Sequence, residues 1–240
     1  MSHFLQVESV EKRFADTVAL NGLSFDIGEN SSIVGILGRN GAGKSTFLKI
    51  LTGFMSADAG QVIVSVGEER LPFAGATHAT VLSERSTIVP RLTGWQYLHL
   101  HATLNQLAGV ATNWEYQQHL IEELELEPHL GKYIARMSKG NHRKMEVVAA
   151  MAARTPLVIA DELGEGLDFP SLTAVCRTIR QAAQDGRRFV ISSHDLSFVG
   201  DVCDEVVVID SGRCVACISA QGDLSAFAAE VKEAFASGNE

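Results

Sequence analysis

Apolar positions along the chain follow two rhythms. Over the first thirty residues they come in short beats, Leu5, Val7 and Val10, then Ala19, Leu20, Leu23 and Phe25, broken by Gly22 and Gly28. That spacing predicts strands. Residues 31–37 form an apolar run ending at Gly38, the pattern of a buried strand. Phe47, Leu48, Leu51 and Phe54 then share one helical face, which predicts an amphipathic helix over 44–54, with Gly53 and Gly60 marking its exit and the next turn.

Between about 92 and 153 the rhythm changes. Leu100, Leu104 and Leu107, and again Leu120 and Leu124, recur three and four apart, and strand-like runs are absent. The pattern predicts a helical lobe inserted into a core. One of its helices opens at Ser138, a residue suited to an N-cap, and has an apolar face at Met145, Val148, Ala149 and Ala152. Thr155–Pro156 should end it, because the residue before proline is pushed out of the α region. Strands return at 157–160, 189–192 and 205–209, with a helix over about 172–183 between the first two. Strands alternating with helices predict an α/β fold with a mainly parallel sheet. Leu224, Phe227, Val231 and Phe235 place one more amphipathic helix at the end, packed on the core.

Composition narrows the class. The 240 residues are 46% hydrophobic and 20% charged, with 21 Gly and 5 Pro, which excludes a disordered or collagen-like chain. The length suits a single domain over 1–240, with the helical lobe at 85–155. A formal net charge of −9 argues against a whole-surface nucleic-acid or anionic-membrane binder, so no nucleic-acid partner is expected. The longest stretch free of Asp, Glu, Lys and Arg, from Leu92 to Trp114, contains His99, His101, Asn105, Gln106 and Asn113 and is too polar to span a bilayer. The first residues lack the apolar core of a signal peptide, so a cytoplasmic location is expected unless a partner holds the protein elsewhere.

Four cysteines are present, and Cys214 and Cys217 form a CxxC. A closed zinc site needs four ligands, so this pair reads as reduced, structural thiols beside Cys176 and Cys203. Period-two alternation along a short strand sends the two CxxC thiols to opposite faces.

Two constellations carry chemistry. Gly38-Arg39-Asn40-Gly41-Ala42-Gly43-Lys44-Ser45 fits GxxxxGK[ST] and is followed by Thr46. Glycines let the backbone curl so that successive N–H groups face one centre and bind phosphate oxygens, and the following helix adds its positive end. Lys44 can reach the β- and γ-phosphates and the Ser45 hydroxyl can ligate Mg²⁺. The strand before the loop and the helix after it supply the context that the motif needs. Further on, an apolar strand ends in Asp161 and Glu162. Asp161 can hold Mg²⁺ through water, and Glu162 can polarise an attacking water as general base. A guanine-specific NKxD is absent, which weighs against a GTPase.

A third element sits between these two: Ser138-Lys139-Gly140-Asn141 at the start of a helix. In that position it resembles the signature motif, usually LSGGQ, of the ATP-binding cassette superfamily. The resemblance runs in order along nearly the whole chain. It implies a P-loop NTPase core with a mainly parallel sheet, an N-terminal antiparallel β region and an inserted α-helical subdomain. It implies ATP and Mg²⁺ as ligands and a dimer, with itself or with a second cassette, in which Ser138 and its neighbours close over the ATP held by the other subunit. By the same resemblance Phe14 stacks on adenine, Asp168 of Gly166-Leu-Asp168 is the D-loop acid, and His194 of Ser193-His-Asp195 is the switch histidine, contacting the γ-phosphate and helping to place the water.

Three positions depart from the family pattern. Glu84 stands where the Q-loop glutamine is usual and is expected to reach Mg²⁺. Lys139 and Asn141 replace Gly and Gln in the signature. Leu163-Gly-Glu165 replaces the usual Pro-Thr-Ser. The Glu84 and signature variants are similar to the exporter-type branch that handles drugs, antibiotics, sodium or haem. The resemblance thus implies the ATPase subunit of a transporter, driving separate integral-membrane permease subunits from the cytoplasmic face. A soluble cassette ATPase acting on ribosomes or DNA is the alternative, and usually has two cassettes or coiled-coil insertions. A regulator without turnover is a further one, and usually lacks the catalytic Glu.

Overall fold

A computed structural model describes residues 3–83, 89–220 and 222–237. The N-terminal beats become two long antiparallel strands, β1 (His3–Phe14) and β2 (Thr17–Gly28), whose buried positions are the apolar ones. The apolar run 31–37 becomes β3 (Ile33–Leu37), buried at every residue, and leads into α1 (Lys44–Leu51). Then come β4 (Ala59–Val66), β5 (Glu69–Leu71) and β6 (Ala79–Leu82). The helices α2 (Gly94–Leu107), α3 (Trp114–Glu123) and α4 (Lys139–Ala152) form the lobe. The chain returns through β7 (Leu157–Ala160), α5 (Phe169–Gln184), β8 (Arg188–Ser193), α6 (Leu196–Val202), β9 (Glu205–Asp210) and β10 (Arg213–Ser219), and ends in α7 (Leu224–Ser237).

Two sheets result. One is four-stranded and antiparallel, in the order β2-β1-β4-β5; the other is six-stranded, in the order β10-β9-β3-β8-β7-β6. In the second, every pair is parallel except β10 with β9. Its central strands are buried and mostly apolar because both faces are covered. Val34, Ile36, Ile159, Val190 and Val207 pack toward the antiparallel sheet and α1, while Ile33, Leu37, Val158, Ile191 and Val208 pack toward the helices. Arg187 fastens the lobe to this core. Its guanidinium donates to the carbonyls of Ala150, Met151 and Ala153 at the end of α4 and to Thr155 in the linker to β7. Burial lowers its pKa to about 10.

The structure corrects three expectations. The helix after the glycine-rich loop stops at Leu51 rather than 54, because Gly53 at φ +74° ends it, and Phe54 is 75% exposed. In α2 the face marked by Leu100, Leu104 and Leu107 points outward, and the buried side is Tyr97, Leu98 and Ala102. The helix itself is as expected, opened by a reciprocal cap between Thr93 and Gln96. Finally, the CxxC thiols share a face. The pairing of β10 with β9 slips by one residue between Cys214 and Ala216, so Val215 and Ala216 both pack on the helical side, and the alternation restarts one residue late. Cys214 and Cys217 then lie 3.8 Å apart, sulfur to sulfur.

Candidate functional site

The glycine-rich loop spans the gap from the end of β3 to the first turn of α1, and two of its glycines cannot carry a side chain. A Cβ on Gly38 would lie 2.5 Å from the Ile209 carbonyl oxygen. Gly43, at φ +110°, would bring one to 2.6 Å from the Ala19 oxygen. The loop is therefore pressed between the β9–β10 hairpin and β2, and the Gly212 N–H donates to the Ala42 carbonyl at 3.0 Å. Lys44 folds back under the loop. Its Nζ donates to the Gly38 carbonyl at 2.9 Å and to that of Arg39 at 3.4 Å.

The second half of the site comes from the adjoining ends of β7 and β8. The Asp161 N–H is held by Leu82 O at 2.7 Å. The Ser192 hydroxyl donates to Asp161 Oδ1 and accepts the Glu162 N–H at 3.1 Å. Glu162 adopts φ +50°, a strained conformation for a residue with a Cβ, and the hydrogen bond from its own N–H to Ser192 helps to hold it. The turn swings its carboxylate back over the loop. Glu162 Oε1 lies 3.1 Å from Lys44 Nζ, and Oε2 lies 2.9 Å from His194 Nδ1. Lys44 and Glu162 are both buried, 5% and 8% exposed, so neither charge is stable there without the other or a ligand.

Lys44, Glu162 and His194 face one cleft of about 680 Å³, which Asp161 and Ser192 do not line. Of the residues predicted from sequence, it gathers Asn40, Gly41, Gly43, Lys44, Ser45, Thr46, Glu162 and His194. Gly38, Arg39 and Ala42 do not line the cleft: Gly38 and Ala42 are buried, and the exposed Arg39 has its guanidinium 5.8 Å over the Phe235 ring of α7. Phe14 is not on the wall. It sits at the tip of the β1–β2 hairpin, 44% exposed, with Lys12 Nζ 5.8 Å from its ring, and Thr17, Val18 and Ala19 form that rim instead. Ser138 caps α4 by accepting the Asn141 N–H at 3.2 Å, and Gly140 lies close under the Gly166 carbonyl. None of Ser138, Lys139, Gly140 and Asn141 lines the cleft of their own chain. Asp168 is exposed and caps α5 through the Ser171 N–H at 3.0 Å, and hydrogen bonds from the Ser171 side chain and N–H lower its pKa. Glu84 lies outside the described residues.

Three contributors escaped the sequence reading. Ser192 orients both acids, as above. Glu165 reaches the cleft wall and pairs with Lys139 at 2.6 Å, so two departures from the family pattern touch each other. The hydrogen bond from Lys139 holds the Glu165 carboxyl below its ordinary pKa. Arg143 runs from α4 beneath the strand ends and donates to the carbonyls of Ser83, Asp161, Glu162 and Leu163. Its sequence signal is a charge pair with Glu146, three residues on, where the polar first half of α4 gives way to its apolar second half.

The donor set fits a hard cation that is shared with phosphate. Ser45 and Asp161 offer oxygen ligands, and the Ser192 hydroxyl fixes one Asp161 oxygen. Among the described residues no group of three or more His, Cys, Asp or Glu is placed to hold a metal unaided.

Comparison with known proteins bears on the family and the fold. A family profile described as "ABC transporter" matches residues 20–164. The chain is 28% identical to the uncharacterized ABC transporter ATP-binding protein YdbJ of Bacillus subtilis, over 91% of this chain and 70% of the relative. It is 27% identical to the daunorubicin resistance ATP-binding protein DrrA3 of Streptomyces coeruleorubidus, over 88% and 67%. It is 26% identical to the phosphonates import ATP-binding protein PhnC of Ruegeria pomeroyi, over 88% and 82%. Among solved structures, the ATP-binding subunit of an ABC transporter superposes with a TM-score of 0.77 at 25% identity, covering 95% of this chain and 99% of that one. The cassette MJ0796, solved as a dimer with ADP and Pi, gives 0.77 at 18% identity over 91% and 100%, a likeness of fold.

Proposed function

The chain belongs to the ABC transporter family, and we propose on that premise that it hydrolyses ATP in the cleft between the glycine-rich loop and the β7–β8 ends to drive transport through separate membrane subunits. The observation that carries this reading is the Glu162 carboxylate held between Lys44 and His194 above that loop. The main-chain amides of 38–45 and the α1 N-terminus bind the phosphates. Ser45 and Asp161 would hold Mg²⁺, which when bound neutralises charge on the phosphate oxygens. An incoming triphosphate competes with Glu162 for Lys44, and the released carboxylate is free to take a proton from water as general base. His194 keeps Glu162 oriented and stands on the same side of the cleft. No described helix is long and apolar enough to cross a membrane.

The active unit in this reading is a dimer, and Ser138, Lys139, Gly140 and Asn141 serve the partner's nucleotide while Asp168 lies at the junction. Their position outside their own cleft supports that division. The Lys139–Glu165 pair has a further role here. A free Glu165 carboxylate on the cleft wall would repel polyphosphate, and Lys139 cancels it. Lys139→Ala is expected to raise the KM for ATP about fivefold, corresponding to roughly 1 kcal/mol. Adding Glu165→Gln should restore it, and steady-state kinetics of the two variants check this. The pair is exposed, so the melting temperature should hardly move.

We assign the direction as export. The basis is the Lys139 and Asn141 signature variant together with the likeness to DrrA3, whose name marks drug resistance. Purification from detergent-solubilised membranes with ATPase measurement tests the whole reading. Co-purification with a multi-helix membrane protein that stimulates turnover is the expected result. An ATPase that copurifies instead with ribosomes or DNA would sink it.

A further inference from the structure

Cys214 and Cys217 play no part in the reading above, yet they are the best-placed reactive pair outside the cleft. β10 is the edge strand of the parallel sheet and pairs only with β9. The one-residue slip at Val215–Ala216 turns both sulfurs to one side, 3.8 Å apart, with Cys217 exposed and Cys214 half-buried. Hydrogen bonding from Cys217 lowers the pKa of the Cys214 thiol and raises that of Cys217, whose carboxylate neighbours Asp26 and Glu205 act in the same upward direction. Cys214 is thus the attacking sulfur and Cys217 the resolving one. The other two thiols are protected: burial pushes Cys176 up to about 11 and Cys203 higher still.

We propose that Cys214 and Cys217 form a dithiol modification site that low-molecular-weight disulfides oxidise to an intrastrand disulfide. The Cys214 thiolate attacks one sulfur of the small disulfide, whose S–S bond breaks and releases one thiolate that takes up a proton. Cys217 then gives its proton to solvent and attacks the Cys214 sulfur, displacing the second small thiol. Two protein S–H groups have become one S–S bond, and one small disulfide has become two thiols. The closure brings the sulfurs from 3.8 Å to about 2 Å, which rotation of two side chains at an edge strand can supply. The site sits one hairpin from the phosphate loop, since Gly212 just before β10 donates to Ala42.

The test treats the full-length protein with excess oxidised glutathione, blocks free thiols with an alkylating agent, and maps the cysteines by mass spectrometry. The expected product is a mass loss of about 2 Da confined to the peptide carrying Cys214 and Cys217, reversed by a dithiol reductant. Cys217→Ser should instead accumulate a mixed disulfide on Cys214, and Cys214→Ser should react about tenfold more slowly than either. Because Cys217 is exposed, its serine variant is expected to melt with the wild type. A persistent glutathione adduct on the wild-type pair, equal reactivity of the two serine variants, or modification of Cys176 at the same rate would overturn the proposal.

Discussion

Glu162→Gln is expected to lower ATP turnover by about 10²–10⁴-fold, the contribution of a lost general base, while ATP binding survives. The substitution is nearly isosteric, but one of the oxygens that face Lys44 and His194 becomes an NH2 donor, so the side chain keeps its shape and loses its charge and one acceptor. In the ligand-free cleft that charge competes with phosphate for Lys44, a buried cation. Removing it frees Lys44 for the triphosphate, so affinity should hold or rise. The amide cannot accept a proton from water, and hydrolysis stops at the chemical step. Single-turnover hydrolysis together with retention of labelled ATP on a filter measures both halves. Turnover within about twofold of the wild type would mean that the base lies elsewhere. Lys44→Ala gives the complementary pattern: binding falls with turnover, because the group removed touches the phosphates and not the water.

The shape of the candidate cleft was legible in the sequence to the extent that it is local. A glycine-rich loop needs strand, turn and helix within about twenty residues, and the residue types there state their own backbone demands, as at Gly38 and Gly43. The acids at the end of β7 were equally plain, because an apolar run that stops at two carboxylates announces a strand end. What escaped was set by neighbours distant in sequence. Ser192 matters only because β8 lies beside β7. Glu165 matters because the turn after Glu162 brings it beside Lys139. Phe14 was placed by analogy, and the hairpin register opposite Thr17 leaves it at the tip, with Val18 on the wall.

Helix faces and strand alternation failed for a similar reason. Leu100, Leu104 and Leu107 mark a helix correctly, but the lobe buries the opposite side of it, where Tyr97, Leu98 and Ala102 face the rest of the core. Apolar periodicity reports that a helix has faces and does not report which face the fold covers. The single extra residue at Val215 carried no composition signal, yet it moved Cys217 to the side of Cys214. A bulge shifts everything after it, so one unread residue inverted the expectation for the pair.

Arg143→Met is expected to be the most destabilising single change near the site, by about 3–5 kcal/mol, because it strips a buried charge network of its centre. Arg143 is 5% exposed and donates to Ser83 O at 2.9 Å, Asp161 O at 3.0 Å, Glu162 O at 3.1 Å and Leu163 O at 3.3 Å. It also pairs with Glu146 at 3.1 Å, and that carboxylate is left buried and alone when the guanidinium goes. For a chain of this length each kcal/mol moves the midpoint by about 2–4 °C, so a fall of roughly 10 °C is expected in a melting scan. Two costs are combined in that figure, and a second substitution separates them. Glu146→Leu in the Arg143→Met background removes the orphaned charge and should recover part of the stability. It cannot recover activity, because Arg143 holds both the Asp161 and the Glu162 carbonyls to α4, the helix capped by Ser138, and among the described residues no other side chain does so. If the double variant regained wild-type turnover along with its melting temperature, Arg143 would be a packing residue and not the tether between α4 and the end of β7.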